Sequence, residues 1–127
     1  LYLRGSEKGE KIDYKRVISS VSRCINPYGD WDKVLELARS KDLEIIVSNT
    51  TEAGICFNEA DCFDGFEHIT YPAKLTKFLL ERWQSGLAGV YLLPVELIDA
   101  NADALAACVE KYIDLWQLPE DFRNQPA

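Results

Sequence analysis

The sequence predicts an α/β fold, a parallel sheet with helices on both of its faces. Short apolar runs typical of strands alternate along the chain with segments whose apolar residues recur at helical spacing. The central strands are apolar along their length, which is typical of parallel strands covered on both sides. We therefore expect the order strand, helix, strand, helix, strand, helix.

The N-terminal third is expected to contain strands followed by a helix. Lys8-Gly9 is typical of a hairpin turn after a first strand, and the β-branched stretch 15–24 predicts another strand. Asp30 follows turn-forming residues and can cap a helix that starts at Trp31.

A strand and a helix are expected in the middle of the chain. Residues 43–48 predict a short strand, and residues 49–70 form a long polar connection of a kind that is often functional. Thr70 can begin a helix that has Pro72 in its first turn, and Gly86 is expected to end it.

The last strand and helix follow directly. The charged end of Arg82 is expected to reach solvent from the side of the preceding helix. Residues 88–93 predict another buried strand, which Pro94 ends. Either Asp99 or Asn101 can cap the final helix.

Composition excludes several classes of partner. The 127 residues carry a net charge of −7, which argues against a nucleic-acid partner because phosphates would be repelled. No apolar run approaches the roughly 18–20 residues that a membrane span needs, and no signal peptide opens the chain. The chain contains no Met and begins with Leu1, so we expect it to be part of something larger.

The cysteines predict a reducing compartment and no metal. Cys24, Cys56, Cys62 and Cys108 form no CxxC pair, and four thiols without a secretory signal suit the cytoplasm. Cys56 and Cys62 with His68 lack the tight paired spacing of zinc sites, so no metal is expected. Cys108 is expected to pack inside the last helix.

The stretch Ser48-Asn49-Thr50-Thr51-Glu52-Ala53-Gly54 leaves the predicted strand 43–48 at its carboxyl end. Parallel sheets bind ligands beyond that end, and hydroxyl and amide groups suit ribose and carboxamide ligands. Glu52 could pass a proton, and Gly54 lets the backbone turn or approach a ligand. The alternative is a loop without a ligand, because these residue types favour turns.

The stretch Pro94-Val95-Glu96-Leu97-Ile98-Asp99 is the second candidate, since it leaves the next strand at the same edge. The alternative is that Glu96 is exposed and Asp99 only caps the last helix. A divalent metal would use such carboxylates, but no DxD-type spacing supports it. The chain also lacks GxGxxG, Walker A, GxSxG and HExxH motifs.

Several segments resemble the long-chain mannitol dehydrogenase family, and the resemblance runs over about residues 1–122. The segments that carry the resemblance are 16–23, Asn26-Pro27-Tyr28-Gly29-Asp30-Trp31, Ser48 to Ile55, Tyr71-Pro72-Ala73-Lys74-Leu75-Thr76 and Leu93-Pro94-Val95-Glu96-Leu97-Ile98-Asp99. The Glu-Leu-Ile-Asp segment resembles the members that act on uronates, since the mannitol type typically has Cys-Asp-Asn there. Val95 and Ala102 depart from the family pattern.

The resemblance implies an NAD-dependent oxidoreductase that interconverts tagaturonate and altronate in hexuronate catabolism. Residues 1–127 would be the inner part of its N-terminal dinucleotide-binding domain, a partial Rossmann-like parallel sheet. The family's glycine-rich turn would precede Leu1, and a catalytic domain with its Lys, Asn and His would follow Ala127. That catalytic domain and a small sugar acid would be the partners of this chain.

Similarity also implies roles for individual residues. The cofactor's nicotinamide end would be faced by Ser48, Asn49, Thr50 and Thr51. Glu52 would help to gate proton exchange between the catalytic lysine and solvent, and Glu96 would lie near the substrate pocket. The competing interpretation is a stand-alone α/β interaction module without catalytic activity. Either way, a sheet edge without its neighbouring strand is expected to be exposed or to pair with another copy.

Overall fold

The computed structural model describes residues 2–7, 10–15, 20–63 and 69–123. The first element is an antiparallel pair, β1 (Tyr2–Glu7) and β2 (Glu10–Lys15). Glu7 is opposite Glu10, so two residues join the strands, which confirms the predicted hairpin. Lys8 and Gly9 themselves lie outside the described residues.

The strand predicted over 15–24 is wrong where the structure can be compared with it. Lys15 ends β2, residues 16–19 lie outside the described residues, and residues 20–24 form a bend and irregular backbone. The apolar residues of this stretch, Val17, Ile18, Val21 and Cys24, do not follow an alternating pattern, so one sheet face would not bury them all. Val21 is 61% exposed.

The rest of the described chain alternates helices and strands, as predicted. The elements are α1 (Trp31–Ala38), β3 (Ile45–Ser48), α2 (Tyr71–Gln84), β4 (Tyr91–Pro94), α3 (Asn101–Leu115) and α4 (Glu120–Arg123). None of the helices in the described ranges is long and apolar enough to cross a membrane.

Strands β3 and β4 form a parallel sheet, which confirms the α/β class. Ile45 is opposite Tyr91 and Ser48 is opposite Pro94, so the carboxyl ends of both strands lie level at one edge. Helix α3 packs against β4 and α2, and α1 packs against α2. Parallel strands need such a crossover helix between them, and α2 provides it.

One face of this parallel sheet is open in the described part of the chain. It is formed by Ile45, Val47, Tyr91 and Leu93, each about half exposed or more. The sequence predicted that both faces of the sheet are covered. In the structure, only the opposite face, formed by the alternate residues of each strand, is covered. We call these four residues the open sheet face.

Local signals define helix α2 well. The Thr70 hydroxyl accepts a hydrogen bond from the Ala73 N–H, so Thr70 caps the helix as predicted. Gly86 has a φ of 74° and donates to the Trp83 carbonyl, while Leu87 donates to that of Arg82. This pattern is a Schellman motif, which confirms that Gly86 ends the helix.

The cap predicted for α1 is in place without its side-chain hydrogen bond, and the cap predicted for α3 is wrong. Asp30 is the N-cap residue of α1, and the helix starts at Trp31 as predicted. The Asp30 side chain accepts no capping hydrogen bond from the backbone and instead pairs with the Lys33 ammonium at 3.9 Å. Ala100, with a φ of 52°, occupies the N-cap position of α3 rather than Asp99 or Asn101. The Asn101 amide donates instead to the carbonyls of Pro94 and Glu96, and so closes the preceding turn.

Arg82 is buried, contrary to the expectation that its charged end reaches solvent. Its guanidinium donates to four backbone carbonyls, those of Ala38, Ser40, Leu43 and Ala88. These carbonyls lie at the end of α1 and on the approaches to β3 and β4. Arg82 therefore joins two connections at the amino end of the sheet, the one from α1 to β3 and the one from α2 to β4. Charged donors such as a guanidinium make comparatively strong hydrogen bonds.

Candidate functional site

The two stretches singled out in the sequence meet at the carboxyl edge of the parallel sheet. Ser48 is the last residue of β3 and Pro94 the last of β4, and the pairing continues as Val95 N–H donates to the Ser48 carbonyl at 2.9 Å. Because both chains leave the sheet here, their next residues become neighbours.

Glu96 is the centre of this edge. Its side-chain oxygens accept from the Ser48 hydroxyl at 3.2 Å, the Thr50 N–H at 3.0 Å and the Thr50 hydroxyl at 3.1 Å. Only 2% of Glu96 is exposed. The alternative of an exposed Glu96 is therefore wrong, and the carboxylate joins residues that are 46 and 48 positions apart in sequence.

The hydrogen bonds keep Glu96 charged despite its burial. Burial alone would raise the pKa of Glu96, because it disfavours the charged form. The N–H groups of Thr50 and of Glu96 itself, with the hydroxyls of Ser48 and Thr50, outweigh burial and lower this pKa below its usual value. A buried carboxylate with several donors is a stable anion at neutral pH.

Tyr71 adds a phenol to the same cluster. It is the first residue of α2, it is half-buried, and its hydroxyl interacts with the Ser48 side chain. Burial raises the pKa of Tyr71, the Ser48 hydrogen bond partly opposes this, and the Glu96 charge adds to the rise. The sequence indicated Tyr71 only as part of the family-like segment 71–76, since its partner Ser48 lies in another element.

Strained and crowded backbone follows Thr50. Thr51 has a φ of 71°, a conformation that β-branched residues rarely adopt. Strained residues of this kind cluster at functional sites. Gly54 lies so close to Thr50 that a Cβ on it would be 2.1 Å from the Thr50 Oγ1. Gly54 thus allows a close approach, as predicted, but to Thr50 of its own chain.

The predicted cofactor residues divide into two pairs. Ser48 is buried and Thr50 half-buried, and both donate to Glu96. Asn49 and Thr51 are exposed, so neither residue is buried against Glu96. The backbone of Glu52 begins a short 3-10 turn, Glu52–Gly54, and its side chain lies outside the described part of the structure.

A second polar cluster anchors the connection between β3 and α2. The buried carboxylate of Asp61 lies 2.5 Å from the Tyr112 hydroxyl, and it accepts from both the N–H and the hydroxyl of Thr70. The Tyr112 hydroxyl also accepts from the Asn58 N–H, and Trp116 donates to the Asp61 carbonyl. The sequence assigned no role to Asp61, because its partners lie on α2 and α3.

The cysteines give no further chemistry to the site. Cys108 is buried in α3, as expected, and Cys24, Cys56 and Cys62 are exposed thiols. His68 lies outside the described residues. Within residues 2–7, 10–15, 20–63 and 69–123, no three His, Cys, Asp or Glu side chains cluster as metal ligands would.

The fold and the site define an α/β protein whose polar residues gather where parallel strands end, the usual place of ligand binding in such sheets. No family model matches the sequence. The chain is 46% identical over 125 residues to the altronate oxidoreductase of Klebsiella pneumoniae (strain 342). It is 48% identical to that of Yersinia enterocolitica and 44% to that of Escherichia coli O1:K1.

These alignments cover 94% of this chain and 26% of each relative. The chain therefore spans about a quarter of the length of the curated relatives it matches. These relatives, all named altronate oxidoreductase, confirm the resemblance to oxidoreductases that the sequence motifs indicated.

Proposed function

We propose that residues 1–127 are the inner part of an N-terminal dinucleotide-binding domain in an NAD-dependent oxidoreductase that interconverts tagaturonate and altronate. This proposal rests on the alignment with altronate oxidoreductases, which covers 94% of the chain. The glycine-rich turn and the C-terminal catalytic domain of such an enzyme would lie outside these residues. The substrate would be a small sugar acid.

The exposed groups at the carboxyl edge fit the nicotinamide end of NAD. Asn49 offers an amide and Thr51 a hydroxyl, and both can donate to and accept from a carboxamide or a ribose. Ser48 and Thr50, which donate to Glu96, would hold the backbone that carries Asn49 and Thr51 in place. NAD, when bound, would supply the hydride acceptor for altronate oxidation, while the residues of this chain would bind and orient it.

Two carboxylates complete the proposed assignment. Glu52 follows Thr51 at this edge, and we assign it the relay of a proton between solvent and a lysine of the catalytic domain. Glu96 would lie beside the substrate pocket. The buried carboxylate already accepts hydrogen bonds from Ser48 and Thr50. Glu96 would therefore form part of the wall of that pocket.

The open sheet face supports a larger parent domain. Parallel sheets are almost always covered on both faces, whereas Ile45, Val47, Tyr91 and Leu93 are exposed here. Further polypeptide of the same protein would cover them, or a second copy would do so in its absence. The exposed thiols of Cys24, Cys56 and Cys62 favour a cytoplasmic location.

The experiment is an assay of NADH oxidation with tagaturonate. The open reading frame that contains this chain is expressed in full and compared with residues 1–127 alone. We expect turnover from the longer protein and none above background from the 127 residues, because the phosphate-binding turn and the catalytic lysine would be missing. A parent with no dehydrogenase activity would favour the interaction module instead.

A further inference from the structure

The carboxylate of Glu96 is fully used within the protein. One oxygen accepts from the Ser48 hydroxyl, and the other accepts from both the N–H and the hydroxyl of Thr50. With 2% of the residue exposed, almost no surface remains for contact with a ligand. Glu96 therefore acts on its surroundings through Ser48 and Thr50.

Thr50 is held from a second side as well. The backbone of Gly54 approaches it so closely that a Cβ there would lie 2.4 Å from the Thr50 Cβ. Thr50 is thus fixed between Glu96 and Gly54, and the rare φ of 71° follows at Thr51. Strained backbone of this kind persists only where its surroundings determine it strongly.

The result is an alternation of two kinds of residue along residues 48–51. Ser48 and Thr50 are turned toward Glu96, and Asn49 and Thr51 are exposed. The geometry points to Glu96 as a positioning residue, which fixes Ser48 and Thr50 so that Asn49 and Thr51 face the ligand. This inference rests on the proposed function for the identity of that ligand, a dinucleotide and its sugar acid.

Two substitutions of Glu96 separate positioning from contact with the reacting groups. Gln keeps an oxygen that can accept from the Thr50 N–H, and the Ser48 hydroxyl can rotate to accept from the Gln amide. Ala removes every acceptor and leaves the Thr50 N–H without its partner. A positioning role is therefore preserved in Glu96→Gln and lost in Glu96→Ala.

The structural measurement is hydrogen exchange of the Thr50 amide in the full-length protein. We expect exchange about tenfold faster or more in Glu96→Ala, and within about threefold of the parent in Glu96→Gln. Asp99→Ala removes an exposed carboxylate from the same connection and is the control. Unchanged protection in Glu96→Ala would overturn the inference.

The kinetic measurement uses NADH and tagaturonate with the same variants. Misplaced binding groups can cost about 10²-fold, so we expect that loss of kcat/KM in Glu96→Ala. Glu96→Gln should stay within about threefold of the parent with an unchanged pH profile. Equal loss in both variants, with Thr50 still protected in Glu96→Gln, would instead assign Glu96 to direct contact.

The two measurements also separate this inference from the proposed function. If the full-length protein shows no dehydrogenase activity, the proposed function fails. The exchange rates of the Thr50 amide then support or overturn the positioning role by themselves.

Discussion

The Tyr112 hydroxyl lies 2.5 Å from the Asp61 carboxylate and joins the C-terminal end of α3 to the long connection after β3. Both residues are buried, and Thr70 and Asn58 bond to the same hydroxyl. One phenol therefore fixes this connection against two helices, with Phe57 and Trp116 packed on its ring.

Replacing Tyr112 by Phe should destabilise the protein. The Asp61 carboxylate would lose a donor and the Asn58 N–H its acceptor, and a buried polar group without a partner costs about 1–3 kcal/mol. Urea unfolding measures this loss. Tyr91→Phe, at a residue 70% exposed, is the matched control and should change stability by less than about 0.5 kcal/mol. Equal effects in both variants would contradict the role of the Tyr112 hydroxyl.

Stability should also fall at alkaline pH because of Tyr112. Burial, and then the hydrogen bond to Asp61, raise the pKa of Tyr112 from 10.0 to about 12. The folded state then holds a proton that the unfolded state has lost, so this contribution is complete below pH 10.0 and disappears as pH rises to about 12. Melting temperatures across this range test it. The decline should be shallower in Tyr112→Phe, and identical slopes would count against this assignment.

Gly54 should tolerate no side chain. Alanine would place its Cβ 2.1 Å from the Thr50 Oγ1, so either residue must move, at a cost of about 1–3 kcal/mol. Gly29→Ala is the control, because no atom lies within 4 Å of its added Cβ. Chemical denaturation compares the two. A Gly54→Ala protein as stable as the control would show that the connection rearranges freely.

The 127 residues alone should associate through the parallel sheet. Within the described ranges β3 and β4 pair only with each other, so the sheet has unpaired edges beside the open sheet face. Sedimentation velocity should show oligomers that grow with concentration. Val47→Lys should reduce them, whereas Val21→Lys, at an equally exposed valine elsewhere, should not. Strictly monomeric behaviour at high concentration would refute this prediction.

Under the proposed function, replacing Glu52 by Gln should slow turnover by the full-length protein by roughly tenfold or more, as loss of acid–base help often does. The affinity for NAD should change much less, since Asn49 and Thr51 remain. Turnover number, cofactor Kd and melting temperature are measured on the same variant. A fall in stability with unchanged turnover across pH would mean that Glu52 only supports the turn.

Local chemistry made helix α2 predictable from sequence. Thr70, Pro72 and Gly86 act on residues within one turn of themselves, and the structure uses them as the pattern indicated. The stretch after β3 was likewise recognised, because its polar residues follow an apolar strand.

Burial of polar groups was not predictable in the same way. Glu96 is buried because Ser48 and Thr50 lie beside it, although they are 46 and 48 positions away in sequence. The sequence around a carboxylate that follows a strand does not show whether that carboxylate is exposed to solvent or accepts hydrogen bonds from distant donors. The strand prediction was wrong over residues 20–24 for a related reason, since β-branched residues favour a strand only where a neighbouring strand can pair with it.

The hydrogen bonds of Arg82 bear on which substitutions the protein can accept. Its four carbonyl partners hold the amino end of the sheet together, and the polar residues Ser48 and Glu96 lie at the opposite end. The end of the sheet that Arg82 holds together and the end proposed to bind the ligand are thus separated along the strand axis. Under the proposed function, substitutions among the exposed residues at the carboxyl edge would alter ligand preference while the Arg82 hydrogen bonds stay intact, so related proteins could diverge in substrate on one scaffold.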